Sequence, residues 1–140
     1  MSWVINGNYL GIAFLQGGRT RVPGLDCWGL TRLVLKEQLG LDYPLYDDVS
    51  TPVGYWNKII EEIRVQDCTP IGIDDVRAFD IAIMLTETKV DDRWTLAPIH
   101  MGVFVDESNI LHIPRDMTSR VDNVSNRLVR LVQMLRIPHS

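Results

Sequence analysis

Apolar residues fall at helical spacing in the first half of the chain and in short strand-like runs in the second. Between Trp28 and Leu39 the apolar positions Leu30, Leu33 and Val34 predict one face of a helix. Asp26 stands where an N-cap belongs and Gly40 where a C-cap belongs. A second helix is predicted from Pro52 to Arg64, with Val53, Trp56, Ile59, Ile60 and Ile63 as its buried stripe and Glu61 and Glu62 opposite. Phe79–Thr86, Ile99–Asp106 and Ile110–Ile113 are β-rich runs; Glu107-Ser108-Asn109 separates the last two, which predicts a hairpin. Trp3–Leu15 reads as a short helix or an irregular arm, and Arg127–Ile137 fits either a helix or a strand. Helices first and strands afterwards predict an α+β fold, N-terminal helices packed on an antiparallel sheet.

Composition narrows the classes. The 140 residues, 46% apolar and 23% charged, suit one domain spanning 1–140 with a core that needs no disulfide or metal staple. Fourteen basic against eighteen acidic residues leave a net charge of −4, which gives no electrostatic reason to bind nucleic acid. No run approaches the roughly 20 apolar residues of a membrane span. Met1–Leu15 lacks the basic start, apolar middle and cleavage site of a signal peptide, so the chain is expected to be made in the cytoplasm. The two cysteines, Cys27 and Cys68, form no C-x-x-C, which argues against a four-ligand zinc site. A disulfide between them would be unusual there.

Cys27 carries the strongest chemical signal. It follows the breaker-rich stretch Gln16–Gly24 and falls in the first turn of the predicted helix. There the backbone N–H groups and the helix dipole favour a thiolate, the nucleophilic form of cysteine. The plain alternative is a buried cysteine acting as a small hydrophobe. A nucleophile needs a base, and the base needs an orienting group. Strand alternation puts His100 with Gly102 and Phe104 on one face, against the apolar stripe Ile99, Met101, Val103 and Val105 on the other. His112 sits on the returning strand and shares the face of His100 if positions of like parity pair. A Cys/His/His zinc centre completed by water is the competing use of these three residues.

Five segments resemble motifs of NlpC-type cysteine peptidases. Gly24-Leu25-Asp26-Cys27-Trp28-Gly29-Leu30 resembles the nucleophile signature G-F-D-C-S-G-L, and Phe14-Leu15-Gln16-Gly17-Gly18 the preceding Y-x-W-G-G. Phe79-Asp80-Ile81-Ala82-Ile83 resembles G-D-I-V-L. His100-Met101-Gly102-Val103-Phe104 resembles H-V-G-I-Y, and Ile110-Leu111-His112 resembles F-I-H. The resemblance implies a papain-like fold and a cysteine peptidase in which Cys27 attacks, His100 transfers protons and His112 orients His100. It implies a substrate site formed by Asp26, Phe14 and Gly18, with no cofactor and no metal. The implied substrate is the peptidoglycan stem peptide, cut near the D-glutamyl–diaminopimelate bond. Asp26 would contact the free amine of the stem or serve as the helix cap.

Trp28 in place of the usual Ser is similar to the branch found among phage tail-assembly proteins. That branch implies a virion component at the tail tip, acting during host-wall penetration and touching other tail-tip proteins. Trp3, Tyr9, Tyr43 and Tyr46 are candidate contacts for those partners, unless they pack in the core. Two positions depart from the pattern. Phe14 stands where a Tyr hydroxyl is usual, which would remove a donor near the oxyanion; Phe79 stands where Gly is usual. The stretch Thr86–Pro98 reads as a long charged loop beside the groove. A structural tail-tip component with little turnover, and an amidase of the related Cys/His class, are the alternatives.

Overall fold

The cap at Asp26 fixes where the helix begins. In the computed structural model, which describes residues 8–43, 61, 68–127 and 129–138, helix α1 runs Cys27–Leu39. The Asp26 backbone is extended and its side chain accepts the Gly29 N–H at 2.8 Å. At the other end Gly40 adopts the left-handed conformation, φ 70°, and its N–H returns to the Lys36 carbonyl at 3.0 Å. The buried face of α1 carries Cys27, Trp28, Leu30, Thr31, Val34 and Leu35. Ahead of it, β1 (Arg19–Thr20) and β2 (Gly24–Leu25) form a small antiparallel pair.

Six antiparallel strands make the main sheet: β3 (Thr69–Ile71), β4 (Ile81–Val90), β5 (Arg93–Phe104), β6 (Asn109–His112), β7 (Arg120–Asn123) and β8 (Leu131–Arg136). Their order across the sheet is β3-β8-β4-β5-β6-β7. Helix α1 packs on one face, where Ile81, Ile83, Met101, Val103, Leu111 and Leu135 meet Trp28, Leu30 and Leu35. On the other face Val76 and Val129 cover Ala82, Met84, Phe104 and Ile110. Both faces are therefore dry at the centre of the sheet. That is why Ile81-Ala82-Ile83-Met84 is apolar throughout rather than alternating. The α+β architecture, with a helix on an antiparallel sheet, is the one the sequence predicts.

Three local expectations change. Thr86–Pro98 is not a loop. It forms the outer halves of β4 and β5, closed by Asp91 and Asp92 at φ 50° and 63°, the left-handed pair that a two-residue hairpin turn requires. Within the ambiguous segment Arg127–Ile137, Leu131–Arg136 forms strand β8, because β4 offers it a free edge: Leu135 pairs with Ile81 and Met134 with Ala82. Tyr9 and Tyr43 are not exposed partner contacts. Tyr9 is buried, its hydroxyl donating to Glu37 at 2.8 Å, and half-buried Tyr43 stands edge-on to Trp28. Trp3, Tyr46 and, apart from Glu61, the second predicted helix lie outside the described residues. Residues 8–15 form turns and isolated bridges, so the irregular-arm reading of that part holds.

Candidate active site

The loop before α1 and the helix start are pressed together. A Cβ on Gly18 would collide with the Gly24 carbonyl, and a Cβ on Gly29 with the Gly18 carbonyl. Two glycines from two motifs thus allow one close approach. Into this junction Asp26 sends a fully buried carboxylate. Oδ1 accepts from Gly29 N–H and from Arg19 Nη1, at 2.8 and 2.9 Å, and Oδ2 from Gly17 N–H at 2.9 Å. Burial pushes the Asp26 carboxyl up, against the pull of Arg19 and the two N–H groups. Of the two roles considered for Asp26, the helix cap is the one its contacts fill.

Phe14 lies on the flank. Segment 13–15 runs beside Leu25: Leu25 N–H donates to the Ala13 carbonyl and Leu15 N–H to the Leu25 carbonyl, both at 3.0 Å. Half-buried Phe14 borders an open cleft of about 400 Å³ with Ala13, Asp116, Met117 and Thr118. Gly18 is buried beneath this segment, and its carbonyl accepts from Arg19 Nη1 at 2.7 Å.

Cys27 is 3% exposed, and its thiol meets the backbone N–H of Met101, the residue after His100. Helix-start geometry alone predicts a depressed thiol. The structure gives the opposite direction: burial, and then the adjacent Asp26 carboxylate, push Cys27 well above its usual value. The N–H groups of Met101 and of Cys27 itself pull down less strongly.

The two histidines are brought together. Gly102 pairs with His112, so His100 and His112 are diagonal neighbours on one face of the β5–β6 ladder. His100 Nε2 lies 2.8 Å from His112 Nδ1. Alternation predicted that His100 turns away from the helix-facing core. Both rings are nonetheless buried. Burial first and His112 second push His100 down to about 3; burial also lowers His112, against the pull of Asp122. At neutral pH both rings are neutral, so the burial that dries the pair also opposes a resting thiolate–imidazolium ion pair.

Asp122 on β7 is absent from the sequence reading. Its Oδ2 lies 2.7 Å from His112 Nε2, and Arg120 reaches its Oδ1 through Nη2 at 2.9 Å. The available signal was strand parity: in Arg120-Val121-Asp122-Asn123 a carboxylate takes the inward position opposite Ile110. His112 has both ring nitrogens engaged within the chain, which leaves it none to ligate zinc. Cys27 and Cys68 are not joined by a disulfide. Among the described residues no group of three His, Cys, Asp or Glu side chains is placed to hold a metal ion, and no helix is long and apolar enough to cross a membrane.

This arrangement of helix and sheet occurs in solved structures. The chain is similar to the NlpC/p60 domain of the peptidoglycan hydrolase SagA, with a TM-score of 0.60 at 18% identity, over 93% of this chain and 91% of that one. It is also similar to a protein of Staphylococcus aureus subsp. aureus Mu50 described as similar to a lipoprotein of the NLP/P60 family. There the TM-score is 0.65 at 16% identity, over 95% of this chain but only 39% of that one. The chain has the NlpC/p60 fold. No protein-family model and no curated protein matches it by sequence. In NlpC/p60 terms the departure at Phe79 is now concrete. This residue keeps the left-handed backbone, φ 72°, that a glycine there would adopt freely, and buries its ring in the helix-facing core.

Proposed function

We propose that this chain is a cysteine peptidase of the NlpC/p60 type acting on the stem peptides of peptidoglycan. The observation that carries the reading is Cys27 at the start of α1, against the N–H that follows His100, while His112 engages His100 Nε2. The ordered motifs and a fold shared with a peptidoglycan hydrolase support it.

In this reading Cys27 Sγ attacks the scissile carbonyl carbon as its proton passes to His100 Nδ1, the ring nitrogen that His112 does not hold. Charge separates only as the S–C bond forms, which suits a pair that is neutral at rest. The tetrahedral oxyanion takes a hydrogen bond from the Cys27 backbone N–H. The imidazolium then protonates the departing amine, leaving a thioester on Cys27. Water attacks the thioester, giving its proton to His100, and the acid leaves as the thiol re-forms. His112 keeps the ring of His100 in place through both steps. No cofactor enters.

The bond we assign is the one near D-glutamyl–diaminopimelate. Incubating the protein with purified peptidoglycan and identifying fragments by mass spectrometry tests this, with Cys27→Ala as control. Release of intact stem peptides from the sugar would replace the endopeptidase with an amidase. No release by the wild type would leave a structural role, a reading that Phe14 favours because it offers no hydroxyl to the oxyanion.

The Asp26-Cys27-Trp28-Gly29-Leu30 variant supports a place in the phage tail tip, among other tail proteins, during wall penetration. Mass spectrometry of purified virions is expected to find the chain in a few copies per particle. Its absence from virions would end that assignment and leave the peptidase reading untouched.

A further inference from the structure

We propose that Asp122, anchored by Arg120 and Asn126, is a positioning residue that fixes the tautomers of both histidines and so makes Nδ1 of His100 the basic nitrogen. Asp122 Oδ1 faces Arg120 Nε at 3.1 Å, Arg120 Nη2 at 2.9 Å and Asn126 Nδ2 at 3.3 Å, all of which can only donate. Asp122 Oδ2 faces His112 Nε2 at 2.7 Å. A carboxylate paired with Arg120 accepts, so His112 Nε2 carries the hydrogen. In a neutral ring Nδ1 is then the lone pair. His100 Nε2, 2.8 Å away, must therefore donate to it, which leaves the lone pair of His100 on Nδ1. One carboxylate on β7 thus orders the protons of rings on β6 and β5.

Burial enforces that order. His112, Asp122 and His100 are 0%, 4% and 8% exposed, so a reversed ring would leave an unmade hydrogen bond inside the protein. The catalytic meaning of this order rests on the peptidase reading; the order itself does not.

The test is ¹⁵N NMR of the full chain labelled at histidine, at pH 7. His100 and His112 are expected as Nε2–H tautomers, and an Nδ1–H signal from either ring would overturn the proposal. Asp122→Asn is the sharp variant. Because the Oδ1 side meets only donors, the amide oxygen stays there and the amide NH₂ turns to His112. Both rings must then reverse to Nδ1–H, and His100 can no longer accept a proton at Nδ1. On a stem peptide kcat should fall by about 10²–10⁴-fold, the usual contribution of a general base, with KM unchanged. Wild-type tautomers or wild-type kcat in a folded Asp122→Asn protein would also overturn it. If that variant does not fold, the wild-type spectrum alone decides. Predicted tautomers in a wild type that cuts no stem peptide would uphold the relay and refute the substrate reading.

Discussion

Gly102 on β5 pairs directly with His112 on β6, and this single register position puts His112 diagonal to His100. The absence of a side chain at Gly102 keeps the strands at that separation. A Cβ there would sit 2.7 Å from Ile110 Cγ2, 2.9 Å from the Leu111 carbonyl oxygen and 3.0 Å from His112 Cβ. Two of these neighbours are a backbone atom and the root of a side chain, which cannot swing away.

Gly102→Ala is therefore expected to destabilise the fold by about 1–3 kcal/mol, the usual cost of overpacking, and to push His112 away from His100. Urea unfolding gives the first quantity, and the ¹⁵N coupling pattern of the two rings gives the second. An alanine variant of unchanged stability would show that the ladder has slack at this position.

Acid should unfold the protein through its histidines. His100 is held near 3 in the fold against about 6.5 in the unfolded chain, so between those values the unfolded state binds more protons. Stability is then full above about pH 6.5 and is lost as pH falls toward 3, with a slope approaching 1.4 kcal/mol per pH unit for one such group. Denaturation midpoints between pH 5 and 6.5, above the range of the carboxylates, measure it. His100→Asn should reduce the slope; an unaltered slope would assign it elsewhere.

Phe79 combines an unfavourable backbone with a buried ring, and two substitutions separate them. Phe79→Ala loses the ring and keeps φ at 72°, whereas Phe79→Gly loses the ring and relieves the backbone. Both are expected to cost several kcal/mol, about 3–5 for the alanine variant. Glycine should be the milder by about 1 kcal/mol. If alanine proves as stable as glycine in urea, the backbone there is not strained.

Asp26→Ala removes both a helix cap and the partner of Arg19, whose side chain is only 11% exposed. A cap alone is worth about 0.5–2 kcal/mol, and leaving a buried charge unpaired raises the loss toward about 3–5 kcal/mol. Asp26→Asn keeps an oxygen for the Gly29 N–H and gives up the charge and the bond from the Gly17 N–H, so thermal unfolding should place it between alanine and the wild type.

Much of the candidate site was legible because its signals are local. Asp26 and Gly40 bracket α1 through hydrogen bonds that span three or four residues, and period-two alternation put His100 and His112 on one face. The departure at Phe79 was also visible, although only the backbone angle gave it a physical meaning. Asp122 was not legible. Its partner His112 is ten residues away, and the link depends on β7 pairing with β6 in one register.

The chain by itself determined the α+β class, the start and end of α1, the β5–β6 hairpin and the order of the cysteine and the two histidines. Those follow from capping, periodicity and motif spacing, which act between near neighbours. Tertiary structure alone decided what those residues experience. Burial, with His112 alongside, drove His100 down, and burial, with Asp26 alongside, drove Cys27 up rather than down. An open edge on β4 made a strand of 131–136. Burial and strand pairing join residues far apart in sequence, so no local pattern could have carried them.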